Sequence, residues 1–207
     1  MATVTDICNA ALSHCGTRSK ISSLEEASPE ANACFTHFAL LRDYMLRAFD
    51  WNFARLTAAL AELPDPPARW ARKYALPADC VRIRRPNDVP VLTVPETWCE
   101  LAADKDSAGA PIGVLLTDAA RVSAIYTGRV IDTLRWDDGF ATAMTYGLGA
   151  RICYELTGKD DRVRTLTQLW QASLQQAAAE AASEGSTFGR ICLPEALLAR
   201  GYSGASG

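Results

Sequence analysis

The side chains best suited to metal binding in this sequence are its two histidines and seven cysteines. His37 follows Cys34 by about one turn of a predicted helix, and His14 and Cys15 stand together at the end of the helix before it. Cysteine and histidine are zinc ligands, so these four residues could in principle hold a metal. The sequence lacks a C-x-x-C pair, however, and Cys34 falls on an apolar stripe, which favours a buried thiol beside a partly exposed histidine. We therefore expect no metal and no other cofactor.

Two pairs of neighbouring acids, Glu25-Glu26 and Asp137-Asp138, are the candidates for acid-base catalysis. A glycosidase needs two carboxyl groups held across a cleft, whereas adjacent acids on a loop or helix cap are usually solvated or capping groups. Gly147-Leu148-Gly149 lacks the lysine and hydroxyl residue of a phosphate loop, and no G-x-S-x-G elbow occurs. The sequence predicts no catalytic residues and a protein that is not an enzyme. The enzymatic alternative that these acids leave open is a cell-wall hydrolase.

Positive charge is concentrated next to Trp70 and Tyr74. This basic cluster consists of Arg69, Arg72, Lys73, Arg82, Arg84 and Arg85. It could contact phosphate, as in a DNA-binding regulatory protein. It could equally be a solvated sheet face whose charges pair with acids from elsewhere, and we favour this interpretation because no recognised nucleic-acid-binding pattern accompanies it. The formal net charge of −3 also argues against broad attraction to nucleic acid.

Length and composition are those of an ordinary globular protein. The chain has 207 residues, of which 49% are apolar and 22% charged, so it can bury a sizeable core. No apolar run approaches the roughly 18 residues that span a bilayer. The first residues carry no basic segment followed by an apolar one, and an odd number of scattered cysteines gives no disulfide framework. We expect a protein made in a cytoplasm, with free thiols and no membrane partner.

Helical spacing of apolar residues occurs in four places. Thr3 and Ser28 are predicted to cap the first two helices, and Gly16 and Gly158 to end the first and third. On the second helix the predicted buried stripe includes Cys34, Phe35 and Phe38. The four helices are predicted at about residues 4–15, 29–49, 138–157 and 160–183.

Between the second and third helices, short apolar segments alternate with proline, glycine, aspartate and asparagine. This pattern is typical of antiparallel strands and predicts one small sheet over about residues 70–130. We therefore expect a mainly α fold: a four-helix bundle-like core with a small inserted antiparallel β-sheet and an extended C-terminal arm. The domain would span 1–184 and the arm 185–207.

The arm cannot fold alone. Burying its five large apolar side chains would contribute roughly 7 to 15 kcal/mol, whereas ordering some twenty backbone residues would cost roughly 20 to 40 kcal/mol. It must therefore lie on its own domain or be ordered by a partner. The residues of the arm that we expect to make contact are Phe188, Arg190, Ile191, Leu193, Leu197 and Leu198.

Several segments resemble the tail tubular protein A family of phage head-to-tail adaptors. The opening resembles it in Ile7-Cys8-Asn9-Ala10-Ala11-Leu12 with Gly16, in Ser23-Leu24-Glu25-Glu26, and in Arg42-Asp43 leading to Trp51-Asn52-Phe53-Ala54. The most specific segment runs from Trp70 to Arg82 and is similar to that family's W-x-Y-x-Y-x-L-P-x-D-C-L-R motif. Only the second tyrosine is kept, as Tyr74, and Val81 replaces the leucine. The resemblance covers about residues 4 to 183.

The resemblance implies a structural virion protein. Members of this family form a ring, usually of twelve copies, between the portal protein and the next tail protein, the nozzle, of short-tailed phages. The ring extends the DNA channel and helps retain packaged DNA, which passes without sequence-specific contact. The resemblance places this chain at the head-tail junction of a virion, made in the host bacterial cytoplasm, and gives its arm the portal as partner. In this setting the enzymatic alternative is a virion-associated peptidoglycan hydrolase. It also implies that the motif residues determine the fold; these are Trp51, Phe53, Trp70, Tyr74, Pro77 and Asp79.

Overall fold

The computed structural model describes residues 2–84, 99–106 and 108–186. Within these ranges four α-helices flank a β-rich middle. The helices are α1 (Val4–Cys15), α2 (Pro29–Ala48), α3 (Asp138–Thr157) and α4 (Asp160–Ser186). The strands are β1 (Arg55–Ala59), β2 (Ala61–Leu63), β3 (Arg72–Ala75), β4 (Cys80–Ile83), β5 (Cys99–Lys105), β6 (Pro111–Thr117) and β7 (Ser123–Gly128). None of the helices in these ranges is long and apolar enough to cross a membrane.

Local signals explain where the helices begin and end. Thr3 and Asp6 form a reciprocal capping box at the start of α1, and the Ser28 side chain accepts a hydrogen bond from the backbone N–H of Ala31 at the start of α2. Gly16 and Gly158 end α1 and α3 with positive φ angles of 80° and 66°, a conformation that glycine adopts without strain. The helices lie close to the predicted ranges, although α2 ends at Ala48 and α4 continues to Ser186.

The predicted fold class is wrong. The chain is mixed α/β, with two antiparallel sheets instead of one small insertion in a mainly α protein. One sheet has three strands in the order β1-β7-β4, and the other has four in the order β2-β3-β6-β5. The expectation missed β1 and β2, since the segment 55–63 is rich in alanine and leucine, which favour helices. Pairing with β7 and β3 overrides that local preference.

The two sheets are linked by four chain crossings, one of which, between β4 and β5, runs through residues outside the described ranges. Leu60 alone separates β1 from β2, and its N–H donates to the carbonyl oxygen of Val122 at 2.8 Å, where the chain passes from one sheet to the other. The connections from β3 to β4 and from β6 to β7 cross between the same two sheets. The chain therefore links the two sheets at several points along the strand region.

Helix α3 lies at the centre of the helical core. Phe140, Met144, Leu148 and Ile152 on this helix are fully buried. At Gly149 a Cβ atom would lie 3.3 Å from the carbonyl oxygen of Ala11, so the absence of a side chain lets α1 approach α3 closely. Gly149 therefore marks a close contact between α1 and α3.

A buried arginine joins the helical core to the three-stranded sheet. The Arg84 side chain is 5% exposed; its Nη2 donates to the carbonyl oxygen of Trp51 at 2.6 Å and its Nε to the hydroxyl of Thr127 at 2.9 Å. Asp50 lies 3.6 Å from the same Nε. A second tie comes from Arg47, whose Nη1 donates to the carbonyl oxygen of Val81 at 2.9 Å. These contacts hold the sheet against the end of α2.

Candidate functional site

Of the residues predicted as possible metal ligands, Cys15 and Cys34 lie in the helical core, whereas His14 and His37 are half-buried. Cys8, on α1, and Cys34, on α2, are both fully buried, and the Cys8 thiol donates its proton to Cys34, which together with burial raises the pKa of Cys8. Burial raises the pKa of Cys15 to about 12, and its thiol donates to the carbonyl oxygen of Gly149 at 3.4 Å. Such protonated thiols are poor ligands and poor nucleophiles. Within the described ranges, no group of three or more metal-binding side chains could hold an ion.

His14 lies between two shallow clefts. Its ring stacks on Tyr146 with centroids 4.6 Å apart, and Nη1 of Arg162 donates to its carbonyl oxygen at 3.0 Å. Burial and the nearby Arg162 charge lower the pKa of His14, so the imidazole is neutral at physiological pH. One cleft, of about 500 Å³, lies between α1 and α3; the other, of about 350 Å³, is lined by α1 and α4. Helix packing therefore determines the position of this histidine.

One acid of each predicted pair accepts hydrogen bonds from nearby backbone N–H groups. A carboxylate oxygen of Glu26 accepts hydrogen bonds from the N–H and hydroxyl of Ser22, both at 2.9 Å, and these bonds lower the pKa of Glu26. Asp137 caps α3 by accepting from the N–H of Phe140. Burial raises the pKa of Asp137, and the charges of Glu184, Asp138 and Glu180 add to the effect. These contacts tie one acid of each pair to a turn or a helix start.

The basic cluster is divided between the two sheets. On the four-stranded sheet, Arg72 pairs with Glu62 at 2.9 Å and Lys73 pairs with Asp104 at 2.6 Å. On the three-stranded sheet, Arg84 is buried as described, and Arg82 donates to the carbonyl oxygen of Arg47 at 3.2 Å. Arg69 lies over the ring of Trp70 at 5.4 Å, and Arg85 falls outside the described residues. The described charges are thus distributed among separate acidic and backbone partners.

Two of the motif residues belong to an aromatic cluster in the helical core. Trp51 is fully buried, its indole N–H donates to the carbonyl oxygen of Met45 at 2.7 Å, and its ring meets Phe140 edge-on with centroids 5.0 Å apart. Phe53 packs against the same Phe140 ring at 5.1 Å. Edge-to-face contacts of this kind stabilise a core beyond simple area burial. These two motif residues are therefore placed where they support the fold.

The segment from Trp70 to Arg82 connects the two sheets. The hydroxyl of Tyr74 donates to the carbonyl oxygen of Ala119 at 3.0 Å, and Asp79 accepts from the hydroxyl of Tyr126 at 3.1 Å. Pro77 begins the turn between β3 and β4, since its carbonyl accepts from the N–H of Cys80 at 2.9 Å. Trp70 packs on the four-stranded sheet and donates to Glu100 at 3.2 Å. The segment that resembles the family most specifically therefore connects the two sheets.

Sequence reasoning missed an exposed apolar surface on the helices. Leu40 and Tyr44, one turn apart on α2, are 65% and 55% exposed. The Tyr44 ring lies 6.1 Å from Trp170 of α4, and the guanidinium of Arg151 lies 6.0 Å from the same indole. We call Leu40, Tyr44 and Trp170, with Arg151 at their edge, the α2–α4 face. Apolar residues off the predicted buried stripe were the signal available in the sequence.

Other apolar side chains are also exposed in the described ranges. Phe35, predicted to be buried, is 64% exposed, because the helices packed on α2 do not extend over this side of it. The remaining exposed residues of this kind are Leu101, Ile131, Leu134, Tyr154 and Leu169. The residues predicted to contact the portal lie outside the described residues; they are Phe188, Arg190, Ile191, Leu193, Leu197 and Leu198.

Comparison with known proteins adds no relative. A scan of the chain against protein-family models gives no match, and a search of curated proteins gives none either.

Proposed function

We propose that this chain is a structural subunit of a ring that joins the portal to the tail of a short-tailed phage or related particle, and that it is not an enzyme. The proposal rests on the resemblance to the tail tubular protein A family. Its most specific segment, Trp70 to Arg82, forms β3, β4 and the turn between them, so the matching residues belong to the joint of the two sheets. The ring function is inferred by analogy with the family.

One observation carries the functional part of the proposal: large apolar side chains are exposed on several separate elements. Leu40 and Tyr44 lie on α2, Tyr154 on α3, Leu101 on β5, and Ile131 before α3. Among these residues, Leu40 and Tyr44 are clustered, one turn apart on α2 and beside Trp170, and a clustered exposed apolar surface marks a contact site for another protein. A ring subunit needs contacts with two neighbouring copies and with a partner above and below it. Exposure on several elements fits that requirement better than it fits one substrate cleft.

The proposed partners follow from this arrangement. The portal lies on one side of the ring, the nozzle protein on the other, and packaged DNA passes through the lumen. The net charge of −3 suits a channel in which DNA slides without tight binding. The arm from 185 to 207 engages the portal, and a dozen weak arms acting together bind strongly because each later contact is intramolecular.

The test is assembly with portal proteins of short-tailed phages, measured by size-exclusion chromatography with multi-angle light scattering. The expected result is a complex that contains roughly twelve chains of 22.4 kDa, about 270 kDa of this protein in each ring. Electron microscopy should then show a ring on the portal. A chain that remains monomeric with every portal offered would contradict the proposal.

Two variants in the arm test whether its leucines bind the portal. Leu197→Ser together with Leu198→Ser should abolish the complex, because the two largest adjacent apolar side chains of the arm are removed. Ser203→Ala, a change of similar size in the same arm, is the matched control and should leave assembly intact. Loss of the complex in both variants, or in neither, would show that these leucines do not bind the portal.

A further inference from the structure

Helix α2 exposes large apolar side chains on two opposite sides. Successive residues of an α-helix lie about 100° apart around its axis, so Tyr44 lies about 180° from Phe35 and Leu40 about 140° from it. The three side chains are 64% (Phe35), 65% (Leu40) and 55% (Tyr44) exposed. Thr36, about 100° from Phe35, is exposed between the two sides and is polar. The two apolar sides of α2 are therefore separate surfaces.

The loop that precedes α3 runs beside α2 on the side of Phe35. The ring of Trp136 in this loop stacks on Phe38 of α2, with centroids 6.1 Å apart. At the other end of the loop, Nε of Arg129 lies 3.1 Å from a carboxylate oxygen of Asp43. Phe38 lies about 60° from Phe35 in one direction around the helix, and Asp43 about 80° in the other. The two contacts therefore place the loop along the helix side that carries Phe35.

Two aliphatic side chains of this loop are exposed between those contacts. Ile131 is 65% and Leu134 50% exposed. Val130 and Thr133, in the same loop, are buried, so the loop is anchored and its exposed side chains are held in place. We call Phe35, Ile131 and Leu134 the Phe35 face. It lies across α2 from the α2–α4 face.

Each face has the area that an interface between proteins requires. An aromatic side chain can bury roughly 150–250 Å², so Phe35 and Tyr44 each leave about 80–160 Å² uncovered at their exposures. With the leucines and the isoleucine, each face exposes on the order of 300 Å² of apolar surface. An interface of standard size buries about 800 Å² per partner, of which about 57% is apolar. Each face thus supplies more than half of that apolar part.

A second copy of the chain is the partner that fits both faces. Charge of both signs borders the Phe35 face, since Asp132 and Arg135 accompany the ion pair of Arg129 with Asp43. Apolar area, and not one sign of charge, therefore selects the partner. A face that packed on itself would produce a two-fold dimer, whereas a ring needs two different faces that fit each other on every subunit. Two apolar faces of similar area on opposite sides of α2 meet that need.

We propose that neighbouring copies of this chain pack head to tail, with the α2–α4 face of one copy against the Phe35 face of the next. Leu40 and Tyr44 of one copy then lie against Phe35, Ile131 and Leu134 of its neighbour. The inference rests on the proposed ring and identifies the contact between its subunits.

The experiment is photo-crosslinking of the full-length free chain at high concentration, followed by mass spectrometry of tryptic peptides. Benzoylphenylalanine is placed at Tyr44 of a donor copy, and the acceptor copy is labelled with ¹⁵N so that products between copies are recognised by mass. Trypsin cleaves after Arg129 and Arg135, which releases Ile131 and Leu134 in one short peptide. The expected product joins position 44 of the donor to that acceptor peptide or to the acceptor peptide that contains Phe35.

Variants of the acceptor copy test the direction of the contact. Ile131→Glu should lower the yield of this product about tenfold, because a charge replaces an apolar side chain in the contact. Leu40→Glu, an equal change at an equally exposed position, should leave the yield unchanged, because it alters the face of the acceptor that this contact does not use. Leu101→Glu is the matched control on β5, where the side chain is 57% exposed, and should also leave the yield unchanged.

Three results would overturn the inference. A product that joins position 44 to α2 of the acceptor at Leu40, or equal losses with Leu40→Glu and Ile131→Glu, would show that copies meet face to like face. The absence of any product between copies would show that neither face binds another copy. Failure of the ring proposal is recognised separately: the expected product without a ring on any portal would retain the contact and refute the ring. A ring on the portal whose crosslinks lack this product would retain the ring and refute the contact.

Discussion

The strongest stability prediction concerns Arg84, which joins the helices to the three-stranded sheet. Replacing it by methionine keeps most of the apolar stem but removes the guanidinium. The carbonyl oxygen of Trp51 and the hydroxyl of Thr127 then lose their donor in a buried place. Hydrogen bonds to a charged donor contribute about 1.5–3 kcal/mol each. The pair with Asp50 adds at most about 1 kcal/mol, because that carboxylate is half exposed and solvent screens it.

We therefore expect Arg84→Met to lower the free energy of unfolding by about 3–5 kcal/mol, the range measured when one partner of a buried polar pair is removed. Urea denaturation followed by circular dichroism measures this change, and the slope of the transition should stay constant. Arg82→Met, two residues earlier in β4, is the matched control. Its side chain is exposed and makes one hydrogen bond of 3.2 Å, so the loss should stay below about 1 kcal/mol.

The difference between the two variants in lost unfolding free energy tests whether Arg84 binds the sheet to the helices. A loss below about 1 kcal/mol for Arg84→Met would show that water replaces the guanidinium at its acceptors and that the arginine does not bind the sheet to the helices. Equal losses for both variants would show that burial at this junction has no energetic consequence. Either result would refute the reasoning.

Three further predictions concern packing, pH dependence and thiol reactivity. Gly147→Ala should lower the free energy of unfolding by about 1–3 kcal/mol, because the new Cβ would lie 2.7 Å from the Trp170 indole nitrogen; unchanged denaturant stability would contradict the tight contact. Burial raises the pKa of Asp137 above 3.8, so the native state holds its proton more tightly and stability falls as pH rises through the folded pKa. Asp137→Asn should remove that fall, and thermal unfolding of both proteins at several pH values from 3.5 to neutrality measures it; identical pH profiles would refute the assignment. Cys15, whose pKa is raised to about 12 by burial, should react with maleimide far more slowly than exposed Cys99, and equal rates by mass spectrometry would count against the buried position.

The helices show how much local chemistry can be deduced without a structure. A hydroxyl or carboxylate cap, an apolar stripe and a terminal glycine are all determined by neighbouring residues, so the positions of α1 and α3 follow from the sequence. The free ends of the backbone are satisfied within one turn, and no distant contact is needed to define them.

The segment 55–63 shows the opposite case. Its alanines and leucines favour a helix locally, but β1 pairs with β7 and β2 pairs with β3, more than sixty residues and about ten residues away respectively. Strand formation there depends on backbone partners that no local pattern reveals. This is why the sequence suggested one small sheet and a mainly α fold, and the tertiary structure has two sheets in a mixed α/β fold.

The burial of apolar side chains also depends partly on the sequence and partly on the tertiary structure. The sequence by itself determined which residues are apolar, where the helices cap, and that Trp51, Tyr74 and Asp79 occur in a recognisable order. Which of the apolar side chains are covered by other side chains depends on the packing of the folded chain. Phe35 lies in the predicted buried stripe yet faces solvent, whereas Trp170 is brought beside Tyr44 by the packing of α4 on α3. Burial depends on what packs against a face, and that is set by contacts between segments far apart in the chain.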